Sequence, residues 1–116
     1  MRVVALVLTL LLAACVRAPS VSQVQAAAVA EAAAVLLVQR SDKEVPRDAW
    51  SPAVRALNPK SVRVTAEGVY VVTDSWLVEE AGLFVPRHPE TFVAVSGADP
   101  EYRRIHGAVF SYRIRG

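Results

Sequence analysis

The 116-residue chain carries a single cysteine, Cys15, so no disulfide can form within one molecule and stability has to come from packing. Histidine is nearly as scarce, with only His88 and His106. Zinc sites draw three or four ligands from Cys, His and carboxylates, so no metal is expected, and no other cofactor. An excess of one charge is also missing: thirteen basic residues face eleven acidic ones, interspersed for most of the length. Only the end is biased, with Arg103, Arg104, Arg113 and Arg115 after Glu101. A nucleic-acid surface concentrates its cations on one face, so no nucleic-acid partner is expected. The apolar run from Val3 to Leu12, with only Thr9 polar, is half of the roughly 20 residues a bilayer-spanning helix needs, and the stretch ends by Arg17 and Pro19. Ser75, Asp74 and His88 have the residue types of a hydrolytic triad, but no nucleophile-elbow pattern surrounds the serine.

What the chain does have begins at Met1. Arg2 supplies a positive charge, Val3 to Leu12 an apolar core, and Ala13-Ala14 the small residues of a cleavage point. This is the layout of a secretory signal. Leu12-Ala13-Ala14-Cys15 resembles the lipobox of bacterial lipoproteins. The resemblance implies cleavage between Ala14 and Cys15 and a diacylglyceryl group on the Cys15 sulfur, with the new amine acylated. Each buried methylene contributes about 0.8 kcal/mol, and one chain alone binds marginally, so two or three chains on one residue hold a protein to a membrane. The expected division is a signal peptide at 1–14, a short lipidated tether at 15–21 and a single domain at 22–116. Fully extended, residues 16–21 reach only about 20 Å, which keeps the domain near the lipid. Val16 stands where an inner-membrane retention signal often places Asp. By resemblance to enterobacterial sorting, that implies the periplasmic face of the outer membrane of a Gram-negative cell.

The remainder reads as α+β: an N-terminal Ala-rich helix and a short helix packed on a small antiparallel sheet of four to five strands. Ser22-Gln23-Val24-Gln25 fits a capping box. Ala26 to Val38 follows with seven alanines and no Gly or Pro, and Val29, Ala33, Leu36 and Leu37 gather on one side. Arg40 to Pro46 reads as a loop. Ser51 is a good N-cap, Pro52 suits the first helical position, and Asn58-Pro59 stops the turn, with Trp50, Val54 and Leu57 inward. From Lys60 the period becomes two: Val62, Val64 and Ala66 alternate with Arg63 and Thr65. Gly68 supplies the positive φ of a tight hairpin turn, and Val69 to Thr73 reads as the partner strand. The segments 64–71 and 78–85 look alike at an offset of 14, which places a second glycine turn at Gly82. Thr91 to Val95 reads as a strand, Asp99 to Tyr102 as a helical turn, and His106 to Ile114 as the last strand.

Two functional expectations follow. In one, the protein is a non-enzymatic interaction or envelope-maintenance module with an envelope protein as partner. Its aromatics on the sheet side away from the helix, Tyr70, Trp76 and Phe84, then form a partner surface. In the other, Glu79, Glu80 and His88 serve a small ligand-binding or hydrolase-like site. Trp50, Pro52, Leu57, Pro59, Gly68-Val69-Tyr70-Val71 and Glu80-Ala81-Gly82-Leu83-Phe84 resemble small bacterial envelope proteins, a resemblance that implies no activity.

Overall fold

The computed structural model describes residues 16–39 and 43–116. The signal at 1–14, its cleavage point and Cys15 lie outside the described residues.

Helix α1 spans Gln23–Gln39. The capping box closes as the sequence predicts: the Gln25 amide donates to Ser22 Oγ at 3.1 Å, and the Ser22 amide donates to Gln25 Oε1 at 2.9 Å. Ala26, Val29, Ala33 and Leu36 form its buried side. Alanine and valine keep that side shallow, so the helix lies close on the sheet. A 3₁₀ turn at Arg47–Ala49 leads to α2, Pro52–Arg55, whose N-cap Ser51 accepts from the Val54 amide at 3.3 Å. Asn58 takes a left-handed conformation at φ 49° and ends the turn, and Pro59 follows buried. The Trp50 indole nitrogen donates to the Val45 carbonyl at 3.0 Å, which lets that ring be buried without losing a hydrogen bond.

The sheet has six strands among the described residues: β1 Lys43–Glu44, β2 Ser61–Val64, β3 Gly68–Trp76, β4 Glu79–Pro86, β5 Glu101–His106 and β6 Val109–Ile114. All neighbours are antiparallel, in the order β1-β2-β3-β4-β6-β5. The α+β class with one antiparallel sheet is therefore as expected, but six strands replace four to five. Two of them were hidden. Lys43–Glu44, inside the charged loop, pairs with Val64 and Arg63 as a short edge. The stretch around His106 divides at Gly107, φ 54°, into two strands, and Glu101-Tyr102 opens the first rather than a helical turn.

Two other expectations change. Thr91 to Val95 is not a strand. Pro86 and Pro89 supply no amide donors, and the Thr91 and Phe92 amides fold back on the His88 carbonyl. Gly82 is not a turn but the middle of β4, and a β-carbon there would collide with the Val71 carbonyl oxygen. The β3–β4 turn falls earlier, at Leu77-Val78.

Register assigns the faces. Val62, Val71 and Leu83 align across β2, β3 and β4, as do Val64, Val69 and Val85. With Val45, Val54, Trp50 and Val109 they form the core under α1. The opposite face carries the row Arg63, Tyr70, Phe84, Phe110 and Arg104. The Arg87 guanidinium donates to the Thr65 and Ala66 carbonyls and to the Leu37 carbonyl near the helix end. It thereby joins the β2–β3 turn to the C-terminal end of α1.

Candidate functional site

The far face of the sheet gathers most of the aromatic and ionic chemistry. Tyr70 stands 4.5 Å from Phe84 and 5.0 Å from Tyr112, centroid to centroid. Phe92, from the segment between β4 and β5, covers the cluster at 5.3 Å from Phe84, 5.1 Å from Tyr102 and 4.9 Å from Phe110. Arginines bracket the row. The Arg63 guanidinium carbon lies 4.7 Å from the Tyr70 ring centre, and that of Arg104 lies 5.3 Å from Phe110.

Beside the rings are two hydrogen-bonded groups, which meet where Arg63 lies over the Tyr70 ring. Arg63 makes a two-pronged pair with Glu80, at 2.8 and 2.6 Å, and the Tyr112 hydroxyl donates to the same carboxylate at 2.8 Å. The Tyr70 hydroxyl donates to Glu67 at 3.0 Å and sits 2.7 Å from the Tyr102 hydroxyl. Burial is the largest single influence on Glu80 and opposes its charge. The hydrogen bonds from Arg63 and Tyr112 and the Arg63 charge together outweigh burial, and the carboxyl is held below its usual range. The hydrogen bond to Glu80 raises Arg63 against the opposing effect of burial. Burial, then hydrogen bonding to neighbours, pushes the Tyr70 and Tyr112 phenols well above their usual range. These groups satisfy one another: Arg63, Tyr70 and Tyr112 hold their protons more firmly than in water, and Glu80 gives its proton up more readily. The arrangement ties β2, β3, β4 and β6 together.

The three aromatics expected to share a surface are separated. Tyr70 and Phe84 are buried in the cluster, while Trp76 is 62% exposed. A bulge between Val72 and Asp74 explains the split. One extra residue reverses the alternation, so Trp76, aligned with Glu79, goes to the face that carries α1. Glu79, Glu80 and His88 are also not brought together. Glu80 points to the far face, and Glu79 pairs with Arg113 at 3.9 Å on the other. His88 lies beyond the opposite end of β4, roughly 25 Å along the chain, exposed and 3.7 Å from Glu90. Among the described residues no group of three or more His, Cys, Asp or Glu side chains could hold a metal ion. No helix among them is long and apolar enough to cross a membrane.

Sequence reasoning missed Arg63, Glu67, Tyr102 and Tyr112 as a connected set. Alternation does place Arg63 opposite Val62 and Val64, and Phe110 with Tyr112 on one side. Which strand lies beside which is not written in that alternation.

Two further surfaces bear on function. The outer side of α1 also carries apolar residues, with Val24 80%, Val35 53% and Val38 87% exposed and the exposed Glu31 between them. The segment expected to be a tether is packed on the fold: Val16 is 2% exposed, and the Arg17 amide donates to Asp74 Oδ2 at 3.0 Å. Fold and surfaces together define a small α+β protein with one helix-covered antiparallel sheet. Comparison with protein-family models, curated proteins and solved structures finds no match.

Proposed function

We propose that the protein is a lipid-anchored envelope protein, held by acylated Cys15 at the periplasmic face of the outer membrane. Its role is that of a non-enzymatic interaction module that docks another envelope protein. The observation that carries this reading is the outer side of α1. A helix lying on a sheet needs one apolar side. Here Val24, Val35 and Val38 are apolar and exposed on the other, interrupted by the single charge of Glu31. Such a stripe is stabilised when a second protein covers it. The resemblance of Leu12-Ala13-Ala14-Cys15 to a lipobox supports the anchor.

The test has two arms. Replacing Cys15 by Ser abolishes fatty-acid labelling and signal removal; a variant still cut and membrane-held overturns the anchor. A photocrosslinking residue at Val35 or Val38 in intact cells captures one discrete envelope protein, which Val24→Glu weakens. The same residue at Arg47, away from the stripe, captures none. Equal capture from all positions, or none from α1, overturns the docking role.

A further inference from the structure

The tip of the β3–β4 hairpin is built against the usual rules of an exposed turn. Trp76, Leu77 and Val78 are 62%, 89% and 72% exposed, three consecutive apolar side chains facing solvent. Two-residue hairpin turns favour Asn, Asp or Gly where φ is positive. Here the residue is Leu77, at φ 55°, a conformation unfavourable for its side chain. Leucine therefore strains the backbone and exposes its own apolar surface, two costs that water does not repay.

The location suggests what does. The bulge before Asp74 turns Trp76 to the side on which the N-terminal segment lies. Arg17 is bonded to Asp74, two strand positions from Trp76, or about 7 Å. Cys15 is two residues before Arg17, so covalent reach holds it within about another 7 Å. Arg17, two residues after the proposed acyl attachment point, and the apolar tip therefore share one end of the molecule. The residue beside the tip on the C-terminal side is Gly116, packed against Val78.

We propose that Trp76, Leu77 and Val78 insert into the lipid surface beside the acylated Cys15, making a second, protein-borne contact with the membrane. The inference rests on the anchor proposed above for its geometry. Tryptophan suits this place, because its ring partitions to the boundary between headgroups and acyl chains. Charge does not drive the contact. Arg17, Lys60, Arg113 and Arg115 surround this end, but Asp74, Glu79, Asp99 and Glu101 lie among them, with Lys60 3.8 Å from Asp74. Insertion is thus expected on zwitterionic lipid and is insensitive to salt.

The insertion also sets the orientation. The Arg87 contact places the C-terminal end of α1 at the opposite end of the sheet from the tip. With the tip in lipid, Val35 and Val38 stand away from the membrane, where a partner can reach them.

The experiment uses the mature protein purified from cells and added to phosphatidylcholine vesicles whose acyl chains carry bromine. Trp50 is enclosed in the core, so Trp76 emission is the part that shifts to the blue and is quenched. Trp76→Phe removes the quenching. Leu77→Asn, which suits the left-handed turn and so preserves the fold, weakens it. Unquenched Trp76 in vesicle-bound protein overturns the proposal, as does a Trp76 shielded only by a crosslinked protein. Mass measurement of the Cys15 peptide separates the two readings: a bare cysteine with Trp76 still quenched overturns the anchor alone, and an acylated cysteine with Trp76 unquenched overturns the insertion alone.

Discussion

Glu80 remains charged while largely withdrawn from water, because Arg63 and Tyr112 together favour the anion more than burial opposes it. Its folded-state pKa is lowered, so the stability it contributes is present above the unfolded carboxyl value, about 4.3. That stability is lost as pH falls through the lower folded value. Tyr70 and Tyr112 have the opposite sign. Their raised values contribute stability below the unfolded phenol value, about 10, which is lost as pH rises beyond it. Denaturant unfolding measured across pH should therefore show a plateau that falls at both ends. Glu80→Gln flattens the acid limb and costs about 1–2 kcal/mol at neutral pH, since a half-exposed Arg63 loses its charged partner but keeps some water. An unchanged acid limb would show that the pair does not govern that response. Arg63 was legible as an outward residue from its alternation with valine. Its partner was not, because Glu80 lies on a strand separated from β2 by β3, and only register brings the two together.

At the scale of elements, what the sequence predicts well is local. The Ser22 capping box, the Ser51 cap with Pro52, and the Asn58 stop each need only neighbours within four residues, and all three form. What it predicts poorly depends on distant chain. Thr91 to Val95 has strand-forming side chains, but strand propensity is mostly a preference for a half-buried pleated surface. This segment pairs with no strand of the sheet, and one ring, Phe92, packs on the aromatic cluster while Val93 and Val95 stay exposed. The bulge before Asp74 likewise leaves no mark in the alternation, yet it moves Trp76 to the other face. Because Phe92 is the ring that packs the 87–100 segment onto the aromatic cluster, Phe92→Ala should cost about 2 kcal/mol, below the roughly 3–5 kcal/mol of a fully buried ring since this one is only partly buried. It should also raise amide exchange across residues 90–98. A loss confined to stability, with exchange in that segment unchanged, would mean that other contacts hold it down.

At the scale of the whole molecule, the segment from Val16 to Val21 decides how the fold is joined to the proposed anchor. Composition alone makes Val16 to Val21 a tether, because it is short, contains Pro19 and precedes a well-capped helix. The fold uses it differently. Val16 is enclosed, and the Arg17 amide is fixed to Asp74 on β3. Ordering these residues costs backbone entropy, and burying a valine side chain returns about 2 kcal/mol. A chain beginning at Ser22 should therefore be less stable than one beginning at Val16 by about 1–2 kcal/mol, read as a lower denaturant midpoint with little change in slope. Replacing Val16 by Ser in the longer chain should reproduce most of that loss. Equal midpoints for the two lengths would show that the segment lies on the surface without holding to it. If the loss appears, no slack separates the domain from residue 15, and the sheet cannot turn freely about that point. A rigid junction of this kind keeps the Trp76 hairpin at the end where the proposed anchor joins and the outer side of α1 in one fixed direction, which a flexible six-residue leader could not do.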